Sequence, residues 1–171
     1  MTENPHLTFV LGGARSGKSA FAEGLVTAEP GPWSYIATAQ AFDDEMRRRI
    51  AAHQERRADG WRTIEAPHAL GQAVREAPAE LPLLVDCLTL WLSNRLLAEA
   101  DLRADREELL AALTTRRAPT VLVSSEVGLS IVPENALARR FRDAAGELHQ
   151  AIAKQAGRVY LVVAGYPLTV K

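Results

Sequence analysis

Five short apolar runs punctuate the chain: Leu7–Leu11, Trp33–Ala37, Leu83–Val85, Val121–Val123 and Val159–Val163. They are continuous rather than alternating and rich in Val, Leu and Ile. That pattern predicts strands covered on both faces, as in a parallel sheet. Segments of helical period lie between them. The longest starts at Pro133-Glu134-Asn135, where proline and an acid suit a first turn. It carries Phe141, Ala144, Ala145, Leu148 and Ile152 on one stripe, Gly157 beyond its end suits a C-cap, and His149 among its polar residues is expected at the surface. Asp43–Arg57 reads as an amphipathic helix whose opening acids and closing arginines match the helix dipole. Trp61–Glu65 resembles a short strand ending in a carboxylate, and Glu29-Pro30-Gly31-Pro32 a turn. Leu88, Trp91, Leu92 and Leu96 in the tract TLWLSNRLL read as core or an oligomer interface. Strand and helix alternate, so the predicted architecture is α/β: a mostly parallel sheet flanked by helices, with right-handed crossovers and ligands at the carboxyl ends of the strands.

The first of those ends carries the clearest chemistry. Leu7–Leu11 runs into Gly12, Gly13, Ala14, Arg15, Ser16, Gly17, Lys18 and Ser19, then into an apolar helical segment. Gly12-x4-Gly17-Lys18-Ser19 fits the phosphate-binding loop at every required position. Glycines let the backbone curl around phosphate oxygens with its N–H groups inward, and the helix that follows adds its positive end. Lys18 is placed for the β- and γ-phosphates, and the Ser19 hydroxyl for a Mg²⁺ bridging them. A glycine turn that merely ends a strand is the bland alternative. The strand before it and the helix after it favour a nucleoside triphosphate.

The other strand ends are polar too. The second ends in Thr38-Ala39-Gln40, the fourth in Ser124-Ser125-Glu126 and the fifth in Ala164-Gly165. The third, LLVD, ends in Asp86, the form of an acid that holds Mg²⁺ through Ser19 or through water. An Asp capping the next helix would look the same. On the Asp43–Arg57 helix, Met46, Ile50, His53 and Arg57 share one face. A neutral imidazole is a competent nucleophile toward phosphorus, and Arg56 and Arg57 are placed to hold the phosphates under attack. Taken alone, a solvated helix on which a histidine happens to lie is the simpler account. Glu65 either accepts hydrogen bonds from ribose hydroxyls or faces water.

Composition narrows the picture. The 171 residues suit one domain, and 47% hydrophobic with 24% charged residues exclude a disordered chain. A net charge of −1 gives no basis for electrostatic capture of nucleic acid or an anionic membrane. The single cysteine, Cys87, excludes an internal disulfide and suits a reducing, cytoplasmic setting. No secretory leader or apolar run long enough to span a bilayer is visible.

Taken together, these segments resemble the bifunctional adenosylcobinamide kinase/adenosylcobinamide-phosphate guanylyltransferase family of cobalamin biosynthesis. The residues carrying the likeness are GGARSGKS (12–19), YIATAQ (35–40), DDEM…RI..H (43–53), WRTIEAP (61–67), DCLTLWLSN (86–94), SEVGLSIVPEN (125–135), LARRFRDAAGELHQ (137–150) and VYLVVAGYP (159–167). Two positions depart from it: Ser125 where the family often has Asn, and Ser130 where glycine is frequent. The resemblance implies a P-loop, RecA-like single domain assembled as a trimer or larger. It implies phosphorylation of adenosylcobinamide by ATP or GTP, then GMP transfer from GTP through a guanylylated histidine matching His53. It further implies a guanine nucleotide site lined by Ala37, Thr38, Ala39, Arg56, Arg57, Ala58, Asp59, Glu65 and Asp86. A P-loop small-molecule kinase with no covalent histidine step is the alternative. A non-catalytic nucleotide switch presenting Arg47, Arg48 and Arg49 to a protein partner is another.

Overall fold

All five apolar runs are strands, and the tryptophan-led segment is a sixth. The computed structural model describes residues 3–40 and 59–171; the expected helix over Asp43–Arg57, with His53, Arg56 and Arg57, and Ala58 after it, lies outside the described residues. In chain order the elements are β1 (Asn4–Gly12), α1 (Lys18–Thr27), β2 (Trp33–Ala37), β3 (Trp61–Glu65), α2 (Leu70–Glu76) and β4 (Leu83–Asp86). They continue with α3 (Leu88–Leu97), α4 (Leu102–Thr115), β5 (Thr120–Ser125), α5 (Ala136–Gln155), β6 (Ala156–Val163) and β7 (Tyr166–Thr169).

The strands form one seven-stranded sheet in the order β3-β2-β4-β5-β1-β6-β7, parallel throughout except for the β6–β7 pair. The period of two divides each apolar run between two cores. Leu83 and Val85 face one side with Leu7, Phe9, Ile36 and Leu122, against Leu70 and Val74 of α2, Trp91 of α3, Leu109 and Leu113 of α4, and Leu148 and Ile152 of α5. Leu84 faces the other with Val10, Tyr35, Val121, Val123 and Val162, against Ala22 and Val26 of α1. Both faces are covered, which is why the runs do not alternate. The tract TLWLSNRLL resolves as core: Leu88, Trp91, Leu92 and Leu96 are all buried.

Three local expectations need correcting. Helix α5 begins at Ala136, not at Pro133, because Asn135 stays extended and its side chain accepts the Ala138 N–H at 3.1 Å, an N-cap. Gly157 does not cap that helix. The chain turns extended at Ala156 and enters β6 directly, and Gly157 lies so close to β1 that a Cβ would sit 2.9 Å from Pro5 Cα. His149 is buried, not at the surface, because its polar partner is a strand-end serine behind the helix. Strand β7 had no apolar signature, since all its residues are exposed. A two-residue turn forms it: Ala164 and Gly165 both take positive φ (50° and 85°), the backbone a tight hairpin requires.

Candidate functional site

The loop between β1 and α1 must reverse the chain within five residues and still begin a helix. Gly17 makes this possible at φ 91°, and a Cβ there would also approach Gly165 Cα to 3.2 Å. At Gly12 a Cβ would meet the Val162 carbonyl at 2.8 Å, so only glycine fits where β1 passes β6. The Ser16 N–H donates to the Gly13 carbonyl at 3.3 Å, and two protein donors fix the loop from outside: Glu126 N–H to the Gly12 carbonyl at 3.0 Å and Gly165 N–H to the Ser16 carbonyl at 2.8 Å. The first amides of α1, from Lys18 onward, have no intrahelical partner by geometry and form an anion-binding end. The Lys18 ammonium arches over the loop and donates to the Gly13 carbonyl at 3.1 Å. The Ser16 hydroxyl is buried with no partner among the described residues, an orphaned donor in the cradle that a phosphate oxygen would satisfy.

Strand register sets the rest of the floor. Glu65 pairs with Ala37, Ala37 with Asp86, Asp86 with Val123, and Ser125 with Gly12. At about 4.8 Å per strand, Asp86 on β4 lies roughly 10 Å from β1 across β5, and Glu65 on β3 roughly 19 Å from it. The carboxyl ends thus form a strip running from the phosphate loop past Asp86 to Glu65. Glu65 is exposed there, and Ala37, Ala39 and Asp86 are half-buried. Asp59, expected in the same site, is exposed at the other end of β3, next to Gly60, whose carbonyl accepts the Trp33 N–H at the start of β2. Thr38 is fully buried: its hydroxyl donates to the Cys87 carbonyl at 2.7 Å and accepts the Cys87 N–H at 2.9 Å, latching β2 to the end of β4. Asn94 of α3 donates to the carbonyls of Thr38 and Pro67, so Thr38 shapes the strip from beneath.

Electrostatics places Lys18 and Asp86 in one neighbourhood. The Cys87 thiol is pushed up to about 11, first by burial and then by the Asp86 carboxylate, while the Lys18 charge pulls the other way. Cys87 is therefore a neutral thiol at pH 7. Ser19 is the second residue of α1, whose Ala22 and Val26 pack with Leu84 and Val123 near the ends of β4 and β5. A hydroxyl and a carboxylate are hard oxygen donors, and so few of them fit Mg²⁺, which keeps waters and phosphates as its other ligands.

Sequence reasoning missed the supports behind this floor. The Ser125 N–H donates to Thr89 Oγ1 at 2.6 Å, Thr89 Oγ1 meets Ser124 Oγ at 3.0 Å, and Ser124 Oγ meets His149 Nε2 at 2.8 Å. Burial pushes the His149 pKa down, so the imidazole is neutral where it closes this chain. Gln40 at the end of β2 meets His68 Nε2 at 3.0 Å, and the Trp91 indole N–H donates to the His68 carbonyl. Thr89, Trp91 and Asn94 all lie on α3, and their polar atoms inside an apolar tract were the available signal. Ser130 is exposed and its hydroxyl donates to the Val127 carbonyl at 3.4 Å. A cavity of about 440 Å³ between α3, α4 and α5, lined by Leu102, Arg106, Arg140 and Glu147 among others, includes none of the expected site residues.

Comparison with known proteins agrees with this arrangement. A family model described as cobinamide kinase / cobinamide phosphate guanyltransferase matches residues 8–170. The bifunctional adenosylcobalamin biosynthesis protein CobP of Pseudomonas aeruginosa is 53% identical over 165 residues, 95% of each chain. The bifunctional adenosylcobalamin biosynthesis proteins CobU of Escherichia coli and Salmonella typhimurium are 39% and 40% identical, over 96% of this chain and 99% of theirs. Among solved structures, a protein of Pyrococcus horikoshii OT3 superposes with a TM-score of 0.53 at 8% identity, over 96% of this chain and 85% of that one, a likeness of fold alone.

Proposed function

The chain belongs to the cobinamide kinase / cobinamide phosphate guanyltransferase family, and from that premise we propose that it runs both reactions at the strip of strand ends beside the phosphate loop. The observation that carries this reading is the loop itself: a left-handed Gly17, a helix N-terminus, the Ser16 hydroxyl without a partner among the described residues and Lys18 overhead, within the family match over residues 8–170.

In the first reaction the loop amides and Lys18 grip the β- and γ-phosphates of ATP or GTP, and the hydroxyl of adenosylcobinamide attacks the γ-phosphorus. Little covalent chemistry is asked of the protein, so the rate comes from positioning and charge. Ser19 and Asp86 would hold Mg²⁺, which would supply charge neutralisation for the triphosphate. In the second reaction His53 attacks the α-phosphorus of GTP and pyrophosphate leaves. The phosphate of the corrinoid then takes the guanylyl group from the imidazole, giving adenosylcobinamide-GDP and restoring His53. Arg56 and Arg57 would steady the phosphates, and Ala37, Ala39, Glu65 and Asp86 would line the guanine nucleotide site, with Thr38 beneath it. The strip's length supports this, since a nucleotide anchored at the loop extends over β4 and β2 toward Glu65.

The nearly full exposure of Leu129 and Ile131, with Tyr166 and Leu168 exposed on β7, supports a homotrimer or larger assembly. Dependence on ATP and GTP supports a cytoplasmic setting; among the described residues no helix is long and apolar enough to cross a membrane.

The test is covalent labelling. Wild-type protein incubated with α-labelled GTP is expected to retain label that is released by acid and survives base, whereas γ-labelled GTP leaves none. His53→Ala should retain no α-label and make no adenosylcobinamide-GDP, yet still phosphorylate adenosylcobinamide. Persistent α-label in that variant rules His53 out as the nucleophile.

A further inference from the structure

The kinase step needs an acceptor for the hydroxyl proton of its substrate, and the described residues already given a role do not supply one. Lys18 is a cation, Asp86 is committed to the metal, and His149 is sealed behind Ser124. Of the two strands flanking β1, β6 ends in Val163 and the Ala164-Gly165 turn, which carry no acid. The other is β5, which lies between the phosphate loop and Asp86, and the first residue beyond it is Glu126.

The position of Glu126 is tightly set. Ser125 is registered against Gly12, and the Glu126 N–H donates to the Gly12 carbonyl at 3.0 Å, so the backbone of this acid is joined to the first residue of the loop. The Thr89–Ser124–His149 chain holds the strand end from behind. The side chain is half-buried and oriented: Gly128 N–H donates to Oε1 at 2.5 Å, and the carboxylate is close enough to act on His149. Among the described residues no protein group bonds Oε2.

We infer that Glu126 is the general base of the phosphoryl transfer, its carboxylate accepting the proton of the substrate hydroxyl. This inference rests on the kinase reading of the phosphate loop. As the substrate oxygen forms its bond to the γ-phosphorus, its O–H bond breaks and the proton passes to the carboxylate. The bond from the γ-phosphorus to the β,γ-bridging oxygen breaks, and the nucleoside diphosphate leaves with that electron pair. The protonated acid then returns its proton to water. A carboxylate fills this role in protein kinases, and general bases contribute about 10²–10⁴-fold.

Glu126→Gln separates chemistry from architecture, because the amide oxygen of glutamine still accepts the Gly128 N–H while the base is gone. The phosphorylation kcat is expected to fall at least about 100-fold, with the KM for triphosphate and the melting temperature changed little. A kcat within about fivefold of wild type overturns the inference, as does a loss of triphosphate affinity or melting temperature that parallels the loss of rate. So does the pattern in which Glu126→Ala is slow and Glu126→Gln is fast, which would leave only the loop contact. Lys18→Ala in the same assay isolates the premise. If it phosphorylates normally, the kinase reading of the loop fails; if it is inactive while Glu126→Gln is not, only the role of Glu126 fails.

Discussion

Replacing Lys18 with alanine removes one positive charge from above the phosphate loop and almost nothing from the core. Among the described residues its side chain donates one hydrogen bond, to the Gly13 carbonyl at 3.1 Å, on the exposed side of the loop. A bond of that kind contributes about 0.5–1.5 kcal/mol, and alanine at the start of α1 is at least as good a helix former as lysine. For a chain of this size 1 kcal/mol is about 2–4 °C in melting temperature, so the variant should fold. The catalytic loss is of a different order. A unit charge about 4 Å from a phosphoryl oxygen, at an effective dielectric of about 20, is worth about 4 kcal/mol. Each 1.36 kcal/mol of barrier is about tenfold in rate, so kcat/KM for phosphorylation should fall about 10³-fold. The assay is transfer of label from γ-labelled ATP or GTP to adenosylcobinamide, run beside a thermal melt. A folded Lys18→Ala protein within about threefold of wild type would refute the reasoning, because it would show that no developing phosphate charge lies under this ammonium.

Three further outcomes follow from the same geometry. Asp86→Asn should raise the Mg²⁺ concentration needed for half-maximal activity while leaving the sheet intact; an unchanged metal titration would confine Asp86 to nucleotide contact or structure. The Cys87 thiol, raised by burial from about 9 to about 11, binds its proton more tightly folded than unfolded. Its share of stability is therefore complete below about pH 9 and is lost as pH rises toward 11, at most about 2–3 kcal/mol. Slow alkylation at pH 8 in the native state and fast alkylation in urea would agree, whereas native-state labelling as fast as that of a free thiol would not. His149 has the opposite sign: burial lowers its pKa, so the unfolded chain takes up the proton first and stability declines as pH falls below about 6.5. His149→Asn should flatten the melting temperature between pH 7.5 and pH 5, and an equally steep fall in that variant would assign the acid sensitivity elsewhere.

The part of the site legible in the sequence is the part built from neighbours in the chain. A phosphate loop is a local object: Gly12 through Ser19 must curl within a few residues, so its glycines, lysine and serine stand at fixed spacing, and the full-length resemblance supplied the two reactions. Strands such as Leu83–Val85 were visible because burial on both faces imposes an apolar run, whereas the start of α5, expected at Pro133, lies at Ala136 because Asn135 caps it. The tertiary structure decided what depends on partners far apart in sequence. Thr38 reads as an ordinary strand-end residue until Cys87, 49 positions on, takes both sides of its hydroxyl. His149 reads as a surface histidine until Ser124 meets it behind the helix. Strand β7 has no buried face to leave a period, so only its pairing with β6 reveals it. Glu126 became a candidate base only when strand order placed β5 between the loop and Asp86. Local backbone geometry is written in composition and spacing, whereas hydrogen bonds between strand ends are set by sheet order, which one-dimensional periodicity does not encode.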